Sequence, residues 1–226
     1  MGYVVIGIAV LAVVFGPALW ARAVLAWYGD DRPDFPGSGG ELARHLLDEG
    51  GLKEVKVEAT DLGDHYDPTD KAVRLTRGNL DGRSLTAVAT AAHEVGHALQ
   101  DRDRYRPLET RTRLVRATHG FQRVGSVILL ATPLLGMLTR APGLIALQLG
   151  AGILVMSISV VIHAVTLPVE FDASFNRALP ILERGGYLAK DDLPAARRIL
   201  KACALTYVAS SLASLLNLWR WIRVLR

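Results

Sequence analysis

The sequence predicts a mainly α-helical membrane protein with about four transmembrane helices and a small polar α+β region that contains a short β-hairpin. Half of the 226 residues are hydrophobic, and they are concentrated in long uncharged runs. A globular core would spread them more evenly along the chain. The charged residues are concentrated between the runs, mainly at 30–116 and 170–201. Because a helix needs about 20 apolar residues to cross a bilayer, the runs predict membrane spans.

The net charge and the single cysteine indicate which partners and which cellular compartment to expect. The net charge is +4, and the basic residues flank the apolar runs instead of alternating with aromatic side chains. This pattern indicates contact with a lipid bilayer and no nucleic-acid partner. Cys203 is the single cysteine, so no internal disulfide can form. Nothing in the sequence therefore requires an oxidising compartment.

The apolar runs divide the chain into five predicted segments. The first is favoured as a retained anchor over a cleaved signal peptide, because no positively charged stretch precedes its apolar run. The segments are an N-terminal transmembrane anchor at 1–27, a polar domain at 28–120, a transmembrane hairpin at 121–169, a polar segment at 170–201 and a C-terminal transmembrane helix at 202–226.

Local signals predict two helices in the first polar segment. Ser38 and Glu41 have the spacing of a capping box, and Gly50 and Gly51 supply a helix stop. A second, longer helix is predicted at 84–99, where few helix-breaking residues occur.

Two short strands are predicted between these helices. Apolar and charged residues alternate at 55–59, and a second strand is expected at 72–76. The intervening 61–70 is rich in turn-forming residues, as a hairpin connection would be. The strand at 72–76 could serve as an edge on which an extended peptide pairs.

Four crossings would bring both polar segments to the same side of the membrane. Most of the lysine and arginine residues belong to these segments and their borders. By the positive-inside rule, that side is the cytoplasm. The sequence thus predicts an integral protein of the plasma (inner) membrane whose polar region faces the cytoplasm.

The run His93-Glu94-Val95-Gly96-His97 lies in the longer predicted helix. Residues four apart lie on one helix face, so the two imidazoles can bind a single metal ion. Glu94 beside the first imidazole is placed to act as general base on water at the metal. Gly96 predicts the close approach of another backbone. Zinc, one ion per chain, is the expected cofactor, although iron, cobalt and manganese accept similar donors.

A catalytic zinc site typically has three protein ligands and one open position. Glu170 is the candidate for the third ligand, because the predicted topology places it at a membrane exit on the same face as His93 and His97. Carboxylates at such positions usually have a partner. The alternative is an acidic residue that interacts with the dipole of a helix N-terminus.

Several segments resemble the YugP-type family of membrane zinc metallopeptidases. They are AHEVGHALQ at 92–100, LPVEFDAS at 167–174, DHYDP at 64–68, VRL at 73–75 and ALTYV at 204–208. The resemblance covers essentially the whole chain. It implies a zincin-like polar region and a gluzincin-like site, in which His93, His97 and Glu170 bind zinc and Glu94 is the base.

The resemblance also bears on residues around this site. His65 and Tyr66 are candidates for donors to the oxyanion of a carbonyl-attack mechanism. The alternative is a turn in which neighbouring aspartates cap backbone amides. The segment from Glu170 to Ser174 is similar to a Glu-x-x-Ala-Asp pattern of another membrane peptidase family, and the serine leaves open whether it orients a histidine. Asp172 is given no catalytic role.

The sequence therefore predicts a membrane-anchored zinc-dependent endopeptidase that acts on protein or peptide substrates. Two alternatives stay open. An intramembrane protease would bury its metal-binding helix in the bilayer, whereas charged residues closely flank this helix. A noncatalytic zinc-binding scaffold or adaptor would need a closed site with four protein ligands. The sequence does not predict the oligomeric state.

Overall fold

A computed structural model of the chain describes residues 2–118, 143, 150, 162 and 165–206. The helices are α1 (Gly2–Trp27), α2 (Gly39–Glu49), α3 (Arg77–Asp81), α4 (Leu85–Arg102), α5 at 106–118, α6 at 165–171, α7 (Leu179–Arg184) and α8 at 193–206. A π-helical segment, Asp172–Ala178, joins α6 to α7, and a short 3₁₀ turn, Lys190–Asp192, precedes α8. The strands are β1 (Lys56–Ala59), β2 (His65–Asp67) and β3 (Ala72–Leu75).

Helix α2 begins at the predicted capping box. The Ser38 hydroxyl accepts a hydrogen bond from the Glu41 amide, and the Glu41 carboxylate accepts one from the Ser38 amide. The helix ends at the predicted glycine pair, where Gly51 adopts a φ of 71° that side chains disfavour. The capping signals of this helix are therefore confirmed.

The sheet has the strand order β1-β3-β2. Strand β1 pairs with β3 in parallel, and β2 pairs with β3 in the antiparallel sense. The hairpin is therefore formed by β2 and β3, and β2 lies within the segment that the sequence predicted as a turn. Strand β3 lies in the centre of the sheet, so the prediction that it is the edge on which a peptide pairs is wrong.

Helix α4 is the central element of the fold. Ser84 caps its first turn by accepting a hydrogen bond from the Ala87 amide, and every residue from Leu85 to Gln100 is buried. Packing on several sides explains why small residues dominate this helix. It contacts α2, the sheet and the π-helical segment.

At Gly96, the backbones of α4 and the π-helical segment lie close together. A Cβ atom at this position would lie 2.7 Å from the carbonyl oxygen of Ala173. The predicted close approach of another backbone is therefore observed. It brings the chain that follows Glu170 against the helix that contains the two histidines.

We expect Gly96→Ala to lower the free energy of unfolding by about 1–3 kcal/mol, because a backbone atom opposes the added methyl group and must shift. Chemical denaturation of the wild type and the variant measures the effect. Gly78→Ala is the control, since a Cβ there meets no atom within 4 Å. Equal denaturation midpoints for Gly96→Ala and the wild type would contradict the close packing.

The prediction of about four transmembrane helices is wrong. Among the described residues, no helix combines the length and the apolar character needed to cross a membrane. Most of the segments predicted as spans at 121–169 and 202–226 lies outside the described residues. Where parts of the predicted spans are described, apolar side chains pack into the protein core, as Ala21 and Val24 of α1 and Ala202 of α8 do. Hydropathy alone does not distinguish such residues from lipid-facing ones.

Candidate metal centre

Three buried donor side chains converge between α4 and α6. His93 and His97 come from successive turns of α4, and Glu170 comes from α6. One donor atom of each lies within 4.8 Å of the others. Both imidazole Nε2 atoms are 3.2 Å from Oε2 of Glu170, whose side chain is fully buried. The structure thus brings together the three residues that were predicted to bind the metal.

Ser174 determines which nitrogen of His93 holds the proton. Its hydroxyl donates to the carbonyl oxygen of Leu200 at 3.0 Å. Its single proton is thereby used, so its oxygen must accept from Nδ1 of His93, also at 3.0 Å. The Nε2 atom of a neutral His93 consequently presents a lone pair toward Glu170.

Gln100 has the same effect on His97. Its amide nitrogen donates to the carbonyl oxygen of Val169 and to Oδ2 of Asp172, each at 2.8 Å. The amide oxygen therefore faces Nδ1 of His97, at 2.9 Å, and accepts its proton. Nε2 of a neutral His97 is left with a lone pair directed toward Glu170. Such partners fix the orientation of metal-binding histidines in many proteins.

The donor set fits one zinc ion. Burial opposes ionisation of Glu170, but when the imidazoles are protonated at Nε2, the charge of His97 and the hydrogen bonds from His93 and His97 lower the pKa of this carboxyl well below its usual range. An ionised carboxylate and two neutral imidazoles would leave three lone-pair donors facing one another. A divalent cation satisfies all three, and two histidines with one carboxylate are ligands that zinc accepts.

Glu94 lies beside this cluster and lines the adjoining cavity. Burial raises the pKa of Glu94 to about 7, although the nearby His93 charge acts in the opposite direction. A carboxyl group with a pKa near neutrality can both accept and return a proton during a reaction. Its position and its chemistry suit a general base.

The cavity next to the cluster has a volume of about 230 Å³. Its walls include residues of β2, α4 and α5. They are His65, Tyr66, Pro68, Thr69, Glu94, His97, Leu108, Arg111, Thr112, Val115 and Arg116. A small group bound in this cavity would lie next to both Glu94 and the candidate metal position.

His65 and Tyr66 line the cavity, but each uses a proton elsewhere. Nδ1 of His65 donates to the carbonyl oxygen of Gly63 at 2.7 Å, so a neutral imidazole has no proton left on Nε2. The Tyr66 hydroxyl donates to Asp101 at 2.6 Å. Burial and this contact raise the pKa of Tyr66. Donation to an oxyanion by either residue stays a prediction.

The turn predicted as the alternative is also present. The Asp64 carboxylate accepts hydrogen bonds from the Thr76 amide and hydroxyl, and Asp67 accepts one from the Thr69 amide. The Asp64 contacts connect the chain before β2 to the end of β3, and the Asp67 contact stabilises the turn between the two strands. They account for the two aspartates without assigning either one a role in the site.

Three residues around the cluster were not predicted as part of its surroundings. Gln100 follows His97 by three positions and so lies on the same helix face, a spacing that could have identified it. Asp172 accepts a hydrogen bond from the Gln100 amide, and its lack of a catalytic role stays a prediction. Arg111 donates from Nη1 to Oε1 of Glu170 at 3.1 Å. No local spacing connects Arg111 with Glu170, because they lie on different helices.

Comparison with known proteins agrees with the chemistry of these residues. A family model described as "putative neutral zinc metallopeptidase" matches residues 3–226. The chain is also 35% identical over 226 residues to a Bacillus subtilis (strain 168) protein named "Putative membrane protease YugP", covering 99% of this chain and 96% of that protein. No solved structure matches. The resemblance predicted from the sequence is confirmed, and the chain belongs to the family of putative neutral zinc metallopeptidases.

Proposed function

We propose that the protein is a zinc-dependent endopeptidase in which His93, His97 and Glu170 bind the zinc and Glu94 is the general base. The observation that supports this proposal most strongly is the convergence of three buried donors beside Glu94 at the end of a cavity. Family membership supports the same reaction class. The three donors leave one coordination position for water or substrate, as catalytic zinc sites require.

The zinc ion and Glu94 would have different roles in the reaction. Zinc bound at the site would polarise the scissile carbonyl and make water more acidic. Glu94 accepts a proton from the attacking water and delivers it to the nitrogen of the departing amine, so the carboxylate is regenerated. Gln100 and Ser174 hold the two imidazoles with Nε2 toward the ion.

Strand β2 offers a place for an extended peptide. One edge of β2 pairs with β3, and within the described parts of the chain no strand pairs with its other edge. His65 and Tyr66 of this strand line the cavity next to Glu94. A substrate backbone that adds to β2 would gain main-chain hydrogen bonds while its side chains face the cavity.

The cellular location stays a prediction. The cytoplasmic orientation at the plasma (inner) membrane depends on the distribution of basic residues in the sequence. The name of the Bacillus relative includes the words "membrane protease". Contact of this chain with a lipid bilayer is testable by fractionating cell extracts.

Metal removal provides the direct test of the proposed function. We expect the purified protein to contain about one zinc per chain and to cleave an unfolded protein such as reduced casein. A chelator should abolish cleavage, and added zinc should restore it. Zinc binding without any cleavage would instead favour the alternative of a noncatalytic zinc-binding scaffold. Cleavage of a detergent-embedded helix but not of casein would favour the intramembrane protease.

A further inference from the structure

The two oxygens of Glu170 have different partners. Oε2 lies 3.2 Å from Nε2 of both His93 and His97. Oε1 accepts a hydrogen bond from Nη1 of Arg111 at 3.1 Å. Glu170 is completely buried, and the side chain of Arg111 is only 18% exposed. Only one oxygen of this carboxylate therefore points toward the candidate metal position.

This division affects how the carboxylate can bind a metal. A carboxylate coordinates a cation through one oxygen or through both. A charge-assisted hydrogen bond from a guanidinium group is about twice as strong as a neutral one. While Arg111 holds Oε1, rotation of the carboxylate toward two-oxygen binding would break that bond and leave a buried group unpaired.

We propose that Arg111 is a positioning residue that makes Glu170 a one-oxygen ligand. This inference rests on the proposed function, because it assumes a metal bound by His93, His97 and Glu170. Its consequence is an open coordination position. Arg111 and Glu94 line the same cavity, so this position is available to the water on which Glu94 acts. A second carboxylate oxygen on the ion would be an additional ligand next to that water and would hinder its reaction.

Removing Arg111 therefore has an effect that differs from a simple loss of metal. In Arg111→Ala, Oε1 loses its buried donor, and a second bond to the ion becomes the available replacement. We expect the metal to stay bound while its coordination number rises and hydrolysis falls. A purely structural role would lower stability without changing the coordination number.

Cobalt in place of zinc makes the coordination number visible. Four-coordinate Co²⁺ absorbs visible light several times more strongly than five- or six-coordinate Co²⁺, so its spectrum reports the geometry. With full-length protein, we expect a strong four-coordinate spectrum for the wild type and a severalfold weaker one for Arg111→Ala at equal bound cobalt. Millimolar guanidinium, which can enter the adjoining cavity, should restore the strong spectrum.

Arg116→Ala is the matched control. Arg116 lines the same cavity from the same helix, but it donates to Thr69 at 3.5 Å. We expect this variant to give the wild-type spectrum. Arg111→Lys retains the positive charge with a different donor geometry and should give an intermediate spectrum. A weakened spectrum in Arg116→Ala equal to that of Arg111→Ala would overturn the inference.

These measurements distinguish a failure of the proposed ligand set from a failure of the proposed role of Arg111. If the wild type binds no cobalt, or if Glu170→Ala gives the wild-type spectrum, the proposed ligand set fails. If the wild type is four-coordinate and Arg111→Ala has the same spectrum, only the role of Arg111 fails. If the Arg111 variants do not fold, X-ray absorption of the wild-type zinc protein can measure how many carboxylate oxygens bind the zinc. One carboxylate oxygen on zinc supports the inference, and two oxygens overturn it.

Discussion

Glu94→Gln is expected to reduce peptide hydrolysis by about 10²–10⁴-fold, the usual contribution of a general base, while zinc content stays at the wild-type level. Glutamine has nearly the same shape as glutamate but cannot accept the proton of the attacking water. Glu94 is buried, so a neutral amide also avoids the cost of desolvating a carboxylate. The variant should therefore fold, and its defect should lie in the reaction rate.

Turnover of a fluorogenic peptide and metal analysis of the same preparation measure this prediction. Glu109→Gln is the control, because its carboxylate is exposed on α5 and pairs with Arg113. We expect that control to hydrolyse the peptide at the wild-type rate. Full activity in Glu94→Gln would remove this residue from the mechanism and require another proton acceptor at the cavity.

Glu170→Ala is expected to lose zinc. Replacing a partner outside the ligand set typically weakens metal binding about 10–100-fold, so removing a ligand itself should cost more. The substitution also leaves Arg111 and the two imidazoles without their buried carboxylate. Removing one member of a buried ion pair is destabilising by about 3–5 kcal/mol, and we expect a lower melting temperature as well.

Zinc content after purification without added metal measures the first effect, and thermal denaturation measures the second. Glu183→Ala is a suitable control, since this acid is on the surface of α7 and pairs with Arg197. That variant should retain about one zinc per chain. Retention of zinc by Glu170→Ala would place the third ligand elsewhere, and His65 would be the first residue to replace.

The sequence predicted best where local signals determine local structure. The capping box at Ser38, the spacing of His93 and His97, and the stop after α2 all act within a few residues. Strand β2 could not be predicted in this way. Its segment is rich in turn-forming aspartates, and it becomes a strand because β3 supplies the pairing partner.

The position of Glu170 depends on packing between distant segments, which local sequence signals do not predict. From the sequence, Glu170 was expected near the histidines because of four membrane crossings, but no helix among the described residues is long and apolar enough to cross a membrane. The contact instead results from packing of the chain after Glu170 against Gly96. Nothing in the sequence reveals that α5 points the side chain of Arg111 at a buried carboxylate.

The long separation of the site residues along the chain has a consequence for biosynthesis. Glu170 follows His97 by 73 positions. A ribosome adds about 5–20 residues per second, so Glu170 is added roughly 4–15 s after His97. The nascent chain therefore holds both histidines and Glu94 before it holds a complete zinc site. On the proposed mechanism, a half-made protein has no working protease centre, and hydrolysis begins only after the later segment has docked.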